Sequence, residues 1–195
     1  RFARTVFGVQ TAEQGIAALK QATGAKVFAP EAARAGAPVD VVLGEGDRLS
    51  VGGYDFETWA TPGHADGHVS FIGNEAKLAL VGDVVFVMGC GRVMPGKMEA
   101  MWTSLSRIMA LPDATTLITG HDYTLSNARF AAAMDPSNAA VAARLAEAEA
   151  AKAKGRFWAV TTVGEERATN PFFRSEEPAL AATLGIVGKP AGEVF

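Results

Sequence analysis

Apolar and polar positions along the chain fall into two textures. From Val39 to Ile72, short runs rich in β-formers alternate with glycines: Val39 to Leu43, Arg48 to Val51, Tyr54 to Ala60 and Val69 to Ile72. Gly52-Gly53 between two of these runs predicts a hairpin turn. Earlier, Thr5 to Val9 reads as a strand and Gln14 to Ala22 as a helix, with Thr11 as its N-cap, Gln14 as the capping-box partner and Gly24 as its stop. Lys26 to Phe28 begins another strand, closed by Pro30. Leu78 to Val81 is a continuous apolar run ending at Gly82-Asp83, the pattern of a buried strand with a polar residue at its tip. Met98 to Ala110 carries Met101, Leu105, Ile108 and Met109 at helical spacing, and Thr115 to Thr119 reads as the last strand.

After Tyr123 the texture turns helical. Leu125 to Met134, the alanine-rich stretch Ala139 to Lys154, and Pro178 to Leu184 all predict helices. Glu147 and Glu149 stand at partly helical spacing from Lys152 and Lys154. The shift puts a domain boundary near Tyr123, with residues 1–123 mixed α/β and residues 124–195 helical.

Composition changes this picture little. At 195 residues, 49% hydrophobic and 20% charged, the chain suits one large domain or one domain with an appendage. The net charge of -3 and the absence of a basic stripe exclude a nucleic-acid binder. No apolar run approaches the ~20 residues that span a membrane, and no signal peptide is visible. The single cysteine, Cys90, cannot form an internal disulfide, which favours a cytoplasmic location. Without a base beside it, Cys90 reads as structural rather than nucleophilic. The first residue is Arg1 rather than Met, so a longer parent chain is expected. The pattern suits a monomer or a dimer equally.

Candidate chemistry sits in three islands: Thr61-Pro-Gly-His64-Ala-Asp66-Gly-His68, Val81-Gly-Asp83 and Gly120-His121-Asp122-Tyr123. They contain all three histidines of the chain. His64, Asp83 and His121 each lie just past a predicted strand, so one rim of a sheet could gather them as ligands of a borderline metal such as zinc. Asp83 could bridge two ions, having two oxygens. His68 is four residues after His64, but Pro62, Gly63 and Gly67 argue against a helical chelate; it is expected to orient the loop by hydrogen bonding. Asp66 is expected in solvent.

The strings TPGHADGH, VGDVVF, GCGR, GHDYTLSNARFA, DPSN and NPFFR occur in the order and spacing of hydroxyacylglutathione hydrolase, or glyoxalase II, of the metallo-β-lactamase superfamily. The similarity runs from about Gly15 to Leu184. This resemblance implies an αββα sandwich, here incomplete at its N-terminus, followed by a helical glutathione-binding domain. It implies a binuclear zinc site, with iron or manganese as alternatives, and hydrolysis of S-D-lactoylglutathione to glutathione and D-lactate in methylglyoxal detoxification. By motif matching, His64 corresponds to a ligand of one metal and His121 to a ligand of the other. Asp83 corresponds to the carboxylate that bridges both ions and holds the attacking hydroxide. Arg92, Tyr123 and Arg174 correspond to residues that bind glutathione.

The family's further motif, Thr-His-x-His-x-Asp-His, is not in this sequence. By spacing, its ligand positions fall at Phe7, Val9, Thr11 and Ala12, which cannot bind a metal. Two alternatives follow: a relative that binds glutathione conjugates without cleaving them, or a mononuclear iron enzyme acting on glutathione persulfide. Met94 stands where some relatives have an aromatic residue, and Ser175-Glu176-Glu177 where some have a base.

Overall fold

The computed structural model describes residues 12–195. The strand expected at Thr5 to Val9, the Thr11 cap and the positions Phe7 and Val9 lie outside them. The described chain opens with α1 (Ala12–Thr23), then β1 (Phe28–Ala29), a 3-10 turn (Glu31–Ala35) and β2 (Val41–Val42). It continues through β3 (Arg48–Val51), β4 (Tyr54–Ala60), β5 (Val69–Gly73), β6 (Leu78–Gly82), β7 (Val85–Phe86) and β8 (Gly89–Cys90). Then follow α2 (Met98–Met109), β9 (Thr116–Thr119), α3 (Thr124–Met134), α4 (Ala139–Ala153), β10 (Val160–Thr162), α5 (Val163–Thr169), α6 (Pro178–Leu184) and α7 (Ala191–Val194).

Six strands form the main sheet in the order β10-β9-β6-β5-β4-β3. β3 to β6 are an antiparallel meander, with the turn between Val51 and Tyr54 built on Gly52 and Gly53 as the sequence predicts. β6 then pairs parallel with β9, a pairing that needs a crossover, and α2 lies within it. β10, absent from the sequence reading, adds antiparallel to β9 at the edge. It is only three residues long, too short to register as an alternating pattern.

The inner face of the sheet builds the main core. Ile72, Ala79, Val81 and Leu117 meet Met101, Leu105 and Ile108 of α2, together with Val163 and Phe173 from the C-terminal segment. Strand alternation sends the neighbours outward: Leu80, Ile118 and Val160 are exposed on the opposite face. There a groove of about 650 Å³, bordered by Ile16 and Leu19 of α1, runs past Val27, Leu49, Val51, Phe71 and Leu80. A second cluster joins α3 and α4 to the β7–β8 turn through Val87, Met88, Ala128, Ala131, Val141 and Ala148.

A polar network ties the helical segment to the sheet. Glu166 and Asn170 are fully buried, and Arg144 is nearly so. Arg144 Nη1 donates to Glu166 Oε1 at 2.9 Å, and Thr161 Oγ1 donates to the same oxygen at 2.7 Å. Burial pushes the Glu166 carboxyl up, while Arg144 and the bonds from Thr161 and Asn170 oppose that rise. α5 starts on a complete capping box, Thr162 with Glu165. The expected Glu–Lys pairs of α4 do not form among the described residues; Glu149 faces Arg129 at 3.7 Å instead.

Cys90, on β8, packs against the main core. Burial pushes its thiol up to about 12, which leaves it without a reactive thiolate near neutrality.

Two outcomes are expected. Leu117→Ala should cost about 2–5 kcal/mol in urea unfolding, because it opens a cavity in the inner core. Ile118→Ala, one residue away on the outer face, should cost less than half as much. Second, with its folded pKa at about 12, Cys90 should resist iodoacetamide at pH 8, where about one thiol in ten thousand is ionised. It should alkylate readily once denaturant exposes it, as intact-mass measurement would show.

Candidate metal centre

Sheet topology decides where the three islands end up. β4 and β6 are both antiparallel to β5, and β9 is parallel to β6, so β4, β6 and β9 all end at one rim. His64 lies in the loop after β4, Asp83 directly follows β6, and His121 follows β9. β5 begins at the same rim, with His68 just before it.

Asp83 is the centre of the cluster, and its two oxygens face different partners. His121 Nδ1–H donates to Asp83 Oδ1 at 2.8 Å. His64 Nε2 stands 3.5 Å from Asp83 Oδ2. His64 Nδ1–H donates to the Arg92 carbonyl at 3.0 Å, which sets the ring's tautomer and turns the Nε2 lone pair toward the carboxylate. Two acceptors then face each other across 3.5 Å, an arrangement that a cation between them would satisfy.

His68 sits behind this pair. The Asp83 backbone N–H donates to His68 Nε2 at 3.1 Å, so Nδ1 carries the proton and donates to Thr61 Oγ1 at 2.9 Å. Thr61 in turn meets Ser70 Oγ at 2.9 Å. Burial lowers the His68 pKa, opposed by the nearby Asp83 carboxylate and reinforced by His64. Gly82 makes room: its φ is +52°, and a Cβ there would lie 2.8 Å from His68 Nε2. Glycine adopts that backbone at no steric cost. Asp66, expected in solvent, is exposed but pairs with Lys97 at 2.8 Å.

The other three candidate residues are placed differently. The Arg92 backbone belongs to the cluster, and its exposed guanidinium makes no hydrogen bond or ion pair among the described residues. The Tyr123 ring stacks on His121 with centroids 5.3 Å apart and meets Phe86 edge-on. Arg174 is engaged elsewhere. Its Nη2 donates to the buried Asp135 carboxylate at 3.1 Å, and its buried Nε–H finds no acceptor among the described residues. It makes no hydrogen bond to His64, Asp83 or His121.

Beside His121 opens a cavity of about 790 Å³ whose walls include Tyr123, Lys152, Arg156 and Phe157. Sequence reasoning missed the last three, although the basic run Lys152-Ala-Lys154-Gly-Arg156 at the end of α4 was a usable signal. It also missed Ser70, whose hydroxyl carries no spacing signature, and gave Thr61, though part of the first island, no role of its own.

The metal that such a rim implies can be tested on the donors present. A zinc ion with ligands at about 2.0–2.1 Å holds neighbouring ligand atoms roughly 3 Å apart or a little more. The His64–Asp83 separation of 3.5 Å fits that edge, whereas His121 and Asp83 at 2.8 Å are directly bonded, so they must part and His121 Nδ1 must give up its proton for an ion to enter between them. Among the described residues, no three His, Cys, Asp or Glu side chains surround one ion position. The donors fit pairwise, one histidine to each carboxylate oxygen.

Comparison with known proteins gives this geometry its setting. Residues 8–121 match the metallo-β-lactamase superfamily, and residues 122–195 match the hydroxyacylglutathione hydrolase C-terminus. The hydroxyacylglutathione hydrolase of Methylobacterium nodulans is 48% identical over 184 residues, which cover 93% of this chain and 72% of that protein. That of Rhizobium meliloti is 42% identical over 180 residues, covering 92% of this chain and 70% of its own length. Among solved structures, the B3 metallo-β-lactamase BLEG-1 superposes with a TM-score of 0.56 at 21% identity, covering 81% of this chain and 69% of that one; at that identity the likeness speaks to the fold. The rim of ligand-type residues, the helical segment behind it and the extent of these matches agree: the chain belongs to the hydroxyacylglutathione hydrolase family of the metallo-β-lactamase superfamily.

Proposed function

We propose that this chain carries the metal rim and the substrate-binding segment of a hydrolase that cleaves S-(2-hydroxyacyl)glutathione, S-D-lactoylglutathione foremost, to glutathione and a 2-hydroxy acid such as D-lactate. Membership of the family supports the reaction class. The observation that carries the site is the division of Asp83: Oδ1 faces His121 and Oδ2 faces His64. One oxygen per histidine is what a carboxylate shared by two ions needs, and it disfavours all three side chains closing on a single ion.

Zinc bound there, or iron or manganese in its place, would supply Lewis acidity toward the thioester carbonyl and an activated water with a pKa of about 7. The chain's own residues then have separate tasks. His64 offers Nε2 because Arg92 O holds Nδ1–H. His68, kept neutral by burial, fixes the backbone of Asp83 without adding charge. The leaving group needs no acid of its own, since a free thiol has a pKa of only ~8.5.

Glutathione carries two carboxylates, which suit cationic partners. Lys152 and Arg156 offer such cations in the cavity beside His121, and the Tyr123 side chain there adds a neutral hydroxyl donor. The exposed Arg92 guanidinium, which makes no hydrogen bond or ion pair among the described residues, is a further cation on the loop whose carbonyl holds His64. Arg174 reaches a ligand only by sharing its guanidinium with Asp135. We assign the chemistry to residues 1–123 and much of substrate binding to residues 124–195, with the cytoplasm as the setting. No helix among the described residues is long and apolar enough to cross a membrane.

The test is hydrolysis of S-D-lactoylglutathione, followed as thiol release. The chain should be assayed as it stands and as an extended chain that has the family's complete N-terminal segment, with Thr-His-x-His-x-Asp-His occupying residues 6–12 so that its ligands replace Phe7, Val9, Thr11 and Ala12. With Zn²⁺ the extended chain should turn the thioester over, and a chelator should abolish the activity. Asp83→Asn should lower kcat/KM by about a hundredfold or more, since it weakens the hold on both ions. A zinc-loaded extended chain that leaves the thioester intact sinks the assignment. Glutathione binding measured by calorimetry without metal would then favour a binder, and iron with oxygen uptake a persulfide enzyme. Arg92→Ala should raise KM about tenfold with kcat little changed, as expected for a group that grips the substrate away from the reacting carbon.

A further inference from the structure

The β7–β8 turn is an unusual piece of backbone. Met88 has a φ of +58° and is fully buried. That left-handed conformation is costly for a residue with a side chain. Three side chains from the helical segment hold the turn by its main chain. The Met88 N–H donates to Glu166 Oε2 at 2.7 Å. Asn170 Nδ2 donates to the Gly89 carbonyl at 2.9 Å, and Asn127 Nδ2 donates to the Val87 carbonyl at 3.0 Å.

Beyond the turn, the same hairpin enters the metal rim. The Gly91 N–H donates to the Val84 carbonyl, next to Asp83. Gly91 is wedged so closely that a Cβ there would lie 1.8 Å from the Asp83 carbonyl and 3.1 Å from His64 Nδ1. The next residue, Arg92, supplies the carbonyl that accepts from His64 Nδ1–H. The path from α5 to the histidine is therefore short and made of bonds: Glu166, Met88, the β7–β8 hairpin, Arg92 O, His64.

We propose that Glu166 is a positioning residue for His64: by clamping the buried Met88 turn, it sets the Arg92 carbonyl that fixes the tautomer and direction of the His64 ring. The clamp depends on an ionised carboxylate. Arg144 Nη1, Thr161 Oγ1, Asn170 Nδ2 and the Met88 N–H all donate to it. An amide of the same shape would turn an N–H₂ toward at least one of these donors. The catalytic meaning of the clamp rests on His64 being a metal ligand, as proposed above; the bond between His64 and Arg92 does not, and it can be read without metal.

The experiment compares the chain with Glu166→Gln, using Ile72→Ala as a control that opens the core without touching the turn. Amide hydrogen exchange is followed at Met88, Gly91 and Leu117. Long-range proton–nitrogen NMR at pH 8 reads the His64 tautomer. In E166Q, exchange at Met88 and Gly91 should accelerate about ten- to a hundredfold beyond any change at Leu117. The His64 ring should also lose its Nδ1–H tautomer in favour of a mixture. Ile72→Ala should accelerate all three amides alike and leave the tautomer as it is. If E166Q accelerates all amides equally, or if the turn loosens while His64 keeps its tautomer, the proposal is wrong. Should E166Q fail to fold, Asn127→Ala removes one arm of the same clamp and must shift the same two readouts, more weakly; no shift overturns the proposal.

Discussion

The parallel pairing of β6 with β9 is the constraint on which the rest depends. Antiparallel neighbours put the ends of successive strands at opposite rims, so a meander alone would separate Asp83 from His121 by the length of a strand. A parallel partner brings both strand tips to the same rim, and the intervening β5 brings the end of β4 there too. The register carries Gly82 opposite Thr119 after a slip at the strand end, and Gly120 N–H donates to the Gly82 carbonyl at 2.8 Å. The carboxylate and its histidine then follow from adjacent, mutually bonded backbone.

That constraint places the backbone of the site, and a second set of contacts aims its side chains. Neither His64 nor His68 is aimed by the strand next to it alone. His64 is set by a carbonyl from just past the β7–β8 hairpin, and His68 by Thr61 and the Asp83 amide. The two rings do opposite jobs with the same chemistry. One keeps a lone pair facing the carboxylate, and the other spends its lone pair on the carboxylate's own backbone.

Much of this was legible in the sequence where the signal was periodic or punctuated. β3 and β4 have the expected bounds because Gly52-Gly53 marks the turn and alternation marks the strands. α2 appears because its core residues repeat at helical spacing. Gathering His64, Asp83 and His121 at a rim was readable from their positions after apolar runs. What stayed hidden depends on partners distant in sequence. β7, β8 and β10 are two or three residues long and exist only through their pairings. α5 lies where Gly164 and two glutamates look like a loop, and its capping box becomes visible only with the helix. Arg174 shows the converse: its motif was plain, but its engagement with Asp135 joins positions far apart in the chain.

The junction between β10 and α5 has a consequence for the whole arrangement. Thr162 is the last residue of the strand and also the N-cap of the helix, with no loop between them. Strand register and helix phase are therefore a single variable. A one-residue slip of β10 along β9 would turn α5 by roughly 100° about its axis, since a helix takes about 3.6 residues per turn. Glu166 would then point away from the Met88 N–H, and its buried carboxylate would lose the donors that hold it. The edge strand, the least protected part of the sheet, is thus held in register by a buried charge that tolerates one rotation of the helix behind it.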